Sequence, residues 1–130
     1  SSAYHILPRD WKKSARERKY DMAYAREMLA VRTNETAILC NNDCLALCAE
    51  ELLLANEIRI PEDVSVVGFD NIADSVDFPV PLTTCSGKME ELIREAIAYL
   101  FSNRKPNEMF YKKIMPELVI RQSTGPVKQP

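Results

Sequence analysis

Glycine is scarce in this chain, three residues in 130, and a glycine-rich loop of the kind that cradles phosphate has no material here; Gly68 alone cannot make one. Histidine occurs once, as His5, far in sequence from Asp43 and Asp70. Ser65 falls inside a strand pattern rather than at a sharp strand-to-helix elbow, so no nucleophilic triad is evident and an enzyme is not expected. Long apolar runs are also missing. Ile38 to Asn42 and Val64 to Phe69 fall far short of the ~20 apolar residues that cross a bilayer, and the polar N-terminus lacks the apolar core of a signal peptide. The expectation is a cytoplasmic protein without membrane contact.

A strong charge of either sign is absent. The net charge is −2 and the pI about 5.5, which does not suit an autonomous nucleic-acid binder. The charges are nevertheless segregated: residues 1–32 hold 8 basic and 4 acidic side chains, residues 33–79 hold 1 and 10, and residues 80–130 hold 8 and 5. An acidic middle between basic ends suggests internal pairing or a partner surface, although solvated helix faces account for it as well. Asp70, Asp74 and Asp77 lack the spacing of a calcium loop, so a solvated acidic loop is the favoured reading.

Of the four cysteines, Cys40, Cys44 and Cys48 recur every four residues and Cys85 stands apart. That repeat forms a column along a helix rather than the paired thiolates of a zinc site, and a strand ending at Cys40 would break even the column. Buried thiols in a reducing cytosol are the main reading, with a metal or redox site and a disulfide as the alternatives. No cofactor is called for.

What is present, 46% hydrophobic and 28% charged residues over a length that suits one domain, describes a soluble globular chain with a modest core. Tyr4 to Leu7 reads as a short strand. From Ala15 to Ala30, helix formers surround Tyr20, Ala23, Tyr24, Met28 and Leu29, which marks a helix packing on a core. Ala37 to Cys40 is a short continuous apolar run, the pattern of a buried strand. Asn41, Asn42 and Asp43 can cap the next helix, which runs to Ala55 with Leu45, Ala49, Leu52 and Leu53 on its apolar face, Glu50 and Glu51 outside, and Asn56 as its stop. After the turn Arg59 to Asp63, Val64 to Phe69 supplies a second strand ending at Asp70 and Asn71.

Two buried strands joined by a helix of this length make a βαβ crossover, which brings Asn42, Asp43 and Asp70 to the carboxyl edge of a parallel sheet, where small ligands bind. An extended passage through Pro79 to Thr84 follows. Glu90 to Phe101 is an amphipathic helix whose apolar side is Leu92, Ile93, Ala96, Ile97 and Leu100, and residues Asn103 to Asn107 end it. Ile114 to Ile120 is extended, with Pro116 unsuited to a central ladder position.

The runs Thr36-Ala-Ile-Leu-Cys-Asn-Asn-Asp43-Cys-Leu-Ala-Leu47 and Arg59-Ile-Pro-Glu-Asp-Val-Ser-Val-Val-Gly-Phe-Asp-Asn71, followed by Pro81-Leu-Thr-Thr84 and Glu117-Leu-Val-Ile-Arg-Gln-Ser-Thr124, resemble in order and spacing the effector-binding domain of LacI/GalR-type bacterial transcription regulators. The resemblance implies a periplasmic-binding-protein-like, Rossmann-like three-layer α/β lobe with a mainly parallel sheet. It implies a partial domain over residues 1–130, in which 1–84 and 114–124 form most of the C-terminal lobe and the helix of residues 88–101 belongs to the other lobe. The implied function is noncatalytic sensing of a sugar or other small metabolite, in a homodimer that meets DNA only through a region absent from this chain. A solute-binding module of the same architecture without a DNA role is the alternative. Asn42 and Asp70 match positions that hydrogen-bond effector, Asp43 is a weaker match that suits loop positioning, and Trp11 resembles the family's stacking aromatic. Arg9 and Arg16 are read as solvated. Leu92, Ile93, Ala96, Ile97 and Leu100 are assigned to lobe or dimer packing.

Overall fold

The computed structural model describes residues 18–30, 35–102 and 109–127. Trp11, His5, Arg9, Arg16, the strand expected at Tyr4 to Leu7 and the break at Asn103 to Asn107 lie outside them. Helix α1 spans Arg18–Ala30, strand β1 Ala37–Leu39, helix α2 Asp43–Ala55 and strand β2 Ser65–Phe69. A 3-10 turn at Ala73–Val76 precedes β3, Thr83–Ser86; α3 covers Met89–Leu100 and β4 Glu117–Val119.

The sheet runs in the order β1-β2-β3-β4. Its first three strands are parallel, Ile38 standing beside Val66 and Val67 beside Thr83, while β4 returns antiparallel with Val119 beside Thr84. Pro116, which has no N–H for a ladder, falls just before β4, the outermost strand among the described residues, where its missing donor is harmless. The terminal segment is tied in beyond β4. Ser123 is fully buried; its Oγ donates to Val66 O at 2.6 Å and accepts from the Thr83 N–H at 2.8 Å, so one hydroxyl links β2 to β3.

Helix α2 starts where the asparagine caps place it: Asn42 is extended and its Oδ1 accepts the Leu45 N–H at 2.8 Å, supplying one of the amides that the first turn leaves unpaired. Asn56 closes the other end, its backbone N–H and its Nδ2 both donating to Leu52 O. Leu45, Ala46, Ala49 and Leu53 are buried against Ile38, Val66 and Leu82, and α1 packs on α2 through Ala25.

Four expectations are corrected by this packing. The run Ala37 to Cys40 is not buried throughout: Ile38 and Cys40 are, whereas Leu39 is 78% exposed, because α2 covers one face of the sheet and successive side chains of a strand point to opposite faces. Ala25, not Ala23, is the alanine of α1 that reaches the core. Cys44 is exposed while Cys40 and Cys48 are buried, so the cysteines share no single buried column. Glu50, placed outside by its charge, is fully buried: it stands seven residues after Asp43, two helical turns on, and the chain between β2 and β3 passes over that stripe of α2.

Helix α3 differs from the other two. None of its residues is buried, and Leu92, Ile93, Ala96, Ile97 and Leu100 are all exposed, with Leu100 at 75%. The segment before β4 runs beside it, held by Lys112 to Glu95 at 2.9 Å, by Tyr99 stacked on Phe110 with centroids 4.8 Å apart, and by Lys88 to Glu117 at 3.3 Å.

Candidate functional site

Parallel strands end at one edge, and there β1 delivers Asn41 and Asn42, β2 delivers Asp70 and Asn71, and β3 leads to Lys88. Asp70 and Asn71 both hold positive φ, 114° and 54°, a conformation that L residues other than Asn and Asp rarely take. This turn is held by several bonds. The Asp70 N–H donates to Cys85 O at 3.0 Å, the Ile72 N–H donates to Asp43 Oδ2 at 2.9 Å, and Asn71 Oδ1 accepts from Arg121 Nη2 at 2.7 Å.

Asp43 is the central brace. It is fully buried at the first turn of α2, and its second oxygen, Oδ1, accepts the Thr84 hydroxyl at 2.6 Å. Both carboxylate oxygens are thereby engaged by protein groups, one on the loop after β2 and one on β3. Gly68 makes room for this: a Cβ at that position would run into Asp43 Oδ1 and lie 2.7 Å from Leu82 Cδ2. The glycine is required by close approach rather than by backbone conformation.

Arg121 braces the same loop from the returning strand. Its guanidinium donates to Leu82 O at 2.6 Å, to Ser75 Oγ at 3.1 Å and to Asn71 Oδ1, while its backbone N–H donates to Thr83 Oγ1 at 2.9 Å. A planar fork with several fixed donors suits three separate acceptors in a way a lysine does not. The sequence reading passed over Thr84 and Arg121. Each is part of a quoted motif, but only tertiary contacts across dozens of residues reveal what the side chains hold.

Asp70 is exposed and lines an open trough of about 700 Å³ together with Asn71, Ser86, Lys88, Arg94 and Glu117. Its carboxyl is raised above the ordinary aspartate value, by burial first and then by the charge of Asp43. Asn42 is half-buried at the N-terminus of α2 and does not line that trough. Its Oδ1 is committed to the cap, so what it presents to another molecule is its amide N–H groups. Cys40, behind the β1 end, is pushed up to about 12 by burial, then by Glu50, Cys48 and Asp43, which keeps it a neutral thiol. Among the described residues no group of three or more His, Cys, Asp or Glu side chains could hold a metal ion.

A partly parallel α/β lobe with a braced polar loop at its carboxyl edge is the architecture of a ligand-binding lobe. Residues 3–124 match the family of periplasmic binding protein-like domains. The chain is 39% identical over 75% of its length to the HTH-type transcriptional repressor PurR of Pasteurella multocida and 34% identical over 92% to that of Aliivibrio fischeri; these stretches are 30% and 35% of the relatives' own lengths. Among solved structures it resembles a LacI-type transcription regulator from Bifidobacterium animalis (28% identity, TM-score 0.69, 83% of this chain and 39% of that one). It likewise resembles the lac repressor dimer bound to operator and the anti-inducer ONPF (28%, TM-score 0.66, 80% and 37%). The chain belongs to the periplasmic binding protein-like family, as the C-terminal part of a LacI/GalR-type effector-binding domain. It spans about a third of the length of the curated relatives it matches.

Proposed function

We propose that this chain is the part of a bacterial transcription regulator that senses a small-molecule effector, a sugar or other small metabolite, with Asp70 and Asn42 as contacts from this lobe. The observation that carries the reading is the brace at Asp43, which holds the Asp70 turn against the β1 and β3 ends without using Asp70 itself. Ionised Asp70 accepts hydroxyl or N–H donors and Asn42 donates, so the pair suits a polyhydroxylated or heterocyclic ligand. Asp43 acts by positioning them, and Trp11 is the proposed stacking partner. The repressor relatives favour this reading over a free-standing solute-binding module.

In this reading residues 1–84 and 114–124 supply most of one lobe, and α3 belongs with a second lobe whose closure over the effector alters the geometry of a dimer and of DNA-reading heads outside this chain. The exposed face of Leu92, Ile93, Ala96, Ile97 and Leu100 is then covered by that lobe or by a second copy. The work is cytoplasmic, and no described helix is long and apolar enough to cross a membrane. Regulation follows only where effector binds one conformation more tightly than the other. The test is calorimetric titration of the complete gene product with a panel of sugars and purine bases, repeated for Asn42→Ala and Asp70→Ala. A ligand that binds the parent and loses at least tenfold in affinity in each folded variant supports the contacts; unchanged affinity in both removes them.

A further inference from the structure

The chain between β2 and β3 is gripped at both ends by carboxylates of one helix. Asp43 Oδ2 accepts the Ile72 N–H at 2.9 Å, and seven residues later on α2 Glu50 Oε2 accepts the Val80 N–H at 3.2 Å. The two anchors differ in one respect. Both Asp43 oxygens are engaged, whereas Glu50, also fully buried, leaves Oε1 without a hydrogen-bond partner. An ionised carboxylate in that position has one backbone amide to stabilise it, and burying a charge so poorly compensated is costly unless the group takes up a proton.

The groups around Glu50 do not relieve this. No charged side chain enters its raised value, which burial and the Val80 N–H account for; Cys40 at the end of β1 lies close enough to feel Glu50, and the acidic residues of the loop it holds, Asp74 and Asp77, are exposed. None carries a positive charge, and among the described residues no lysine or arginine forms an ion pair with Glu50.

We propose that Glu50 is a proton-dependent anchor for the Val80 end of the loop that begins at Asp70: protonated, it holds the loop closed, and ionised, it favours release of that end so that the carboxylate can reach water. Burial, opposed by the Val80 hydrogen bond, places its titration at about 7, against 4.5 for an exposed glutamate. A carboxyl whose folded value is raised contributes its full stabilisation below the unfolded value and loses it as pH rises towards the folded one. The window is therefore about pH 4.5 to 7, with a plateau above. Release at Val80 reaches the rest of the loop through Leu82, two residues on, whose N–H donates to Ser75 O at 2.9 Å and whose carbonyl is held by Arg121. The anchor does not depend on which effector binds, or on Asp70 contacting one.

Amide hydrogen exchange of the 130-residue chain, corrected for intrinsic rates, tests this with Val80 as reporter and Ile72, held by Asp43, as internal reference. The protection ratio of Val80 to Ile72 falls on the order of fiftyfold between pH 5 and 7.5 and then levels off; in Glu50→Gln, which keeps the shape and the acceptor but cannot ionise, it stays flat. Direct titration of the Glu50 side-chain carbon by NMR in the wild-type chain supplies a reading that needs no variant. A midpoint near 4.5, or the same pH profile in Glu50→Gln as in wild type, overturns the proposal.

Discussion

The Thr84 hydroxyl donates to Asp43 Oδ1 at 2.6 Å between residues 41 apart in sequence, both fully buried. This bond ties the first turn of α2 to β3, while the other Asp43 oxygen ties it to the loop after β2. Three elements that meet at the carboxyl edge are thus held by one side chain, and none of these ties uses the side chain of Asp70.

Replacing Asp43 removes both ties. Asp43→Ala takes away the acceptor of the Thr84 hydroxyl proton and of the Ile72 N–H, leaving Thr84 Oγ1 only the Asn71 N–H, and lowers stability by about 3 kcal/mol, while Thr84→Val, which strips one donor from a buried carboxylate, costs about 2 kcal/mol. Urea unfolding of both single variants and the double variant gives a coupling of at least about 1 kcal/mol. Strict additivity would mean that the bond contributes nothing specific.

Gly68→Ala introduces a methyl group into the space that Asp43 and Leu82 occupy. Something must move, and the carboxylate can move only by stretching its bonds to Thr84 and Ile72. The expected loss is about 2–3 kcal/mol, visible as a lower thermal midpoint. A variant as stable as the parent would show that the edge yields easily.

Arg121→Met keeps the aliphatic stem but strands the acceptors at Asn71, Ser75 and Leu82. Stability falls by about 2 kcal/mol, and Arg121→Lys recovers less than half, since a single ammonium cannot span three acceptors. Faster amide exchange across residues 71–82 in both variants is the accompanying signature. If exchange there stays unchanged, the loop is held by Asp43 and Glu50 alone.

The exposed face of α3 responds differently. Leu92→Glu and Ile97→Glu alter side chains about half exposed, so the stability of the chain shifts by no more than about 0.5 kcal/mol. Sedimentation velocity of the parent at rising concentration shows association that these variants weaken, as a large uncovered apolar face invites. A parent that stays monomeric throughout rejects self-association through this face.

Local order was legible from the chain alone wherever nearest neighbours decide it. The cap at Asn42, the stop at Asn56, the bounds of α2 and β2 and the outer position of the strand after Pro116 all follow from short-range hydrogen bonding and backbone sterics, which depend on residues within a turn or two. Motif order also pointed to the family that residues 3–124 match.

Side-chain environment was legible only where the apolar pattern and the tertiary packing agree, and Glu50 marks where they part. By its own chemistry it belongs in water; it is buried because a loop 30 residues further on crosses α2 above it and offers a backbone N–H. Asp43 read as a cap or a minor ligand and proves to be a brace, since its partners lie 29 and 41 residues away. The sequence by itself determined that helix α2 and strands β1 and β2 form a crossover and which polar residues reach its carboxyl edge. Tertiary structure alone decided which of those residues are consumed in holding the edge and which, like Asp70, keep an exposed side chain, because long-range packing sets who is buried and burial sets what a polar group must bind.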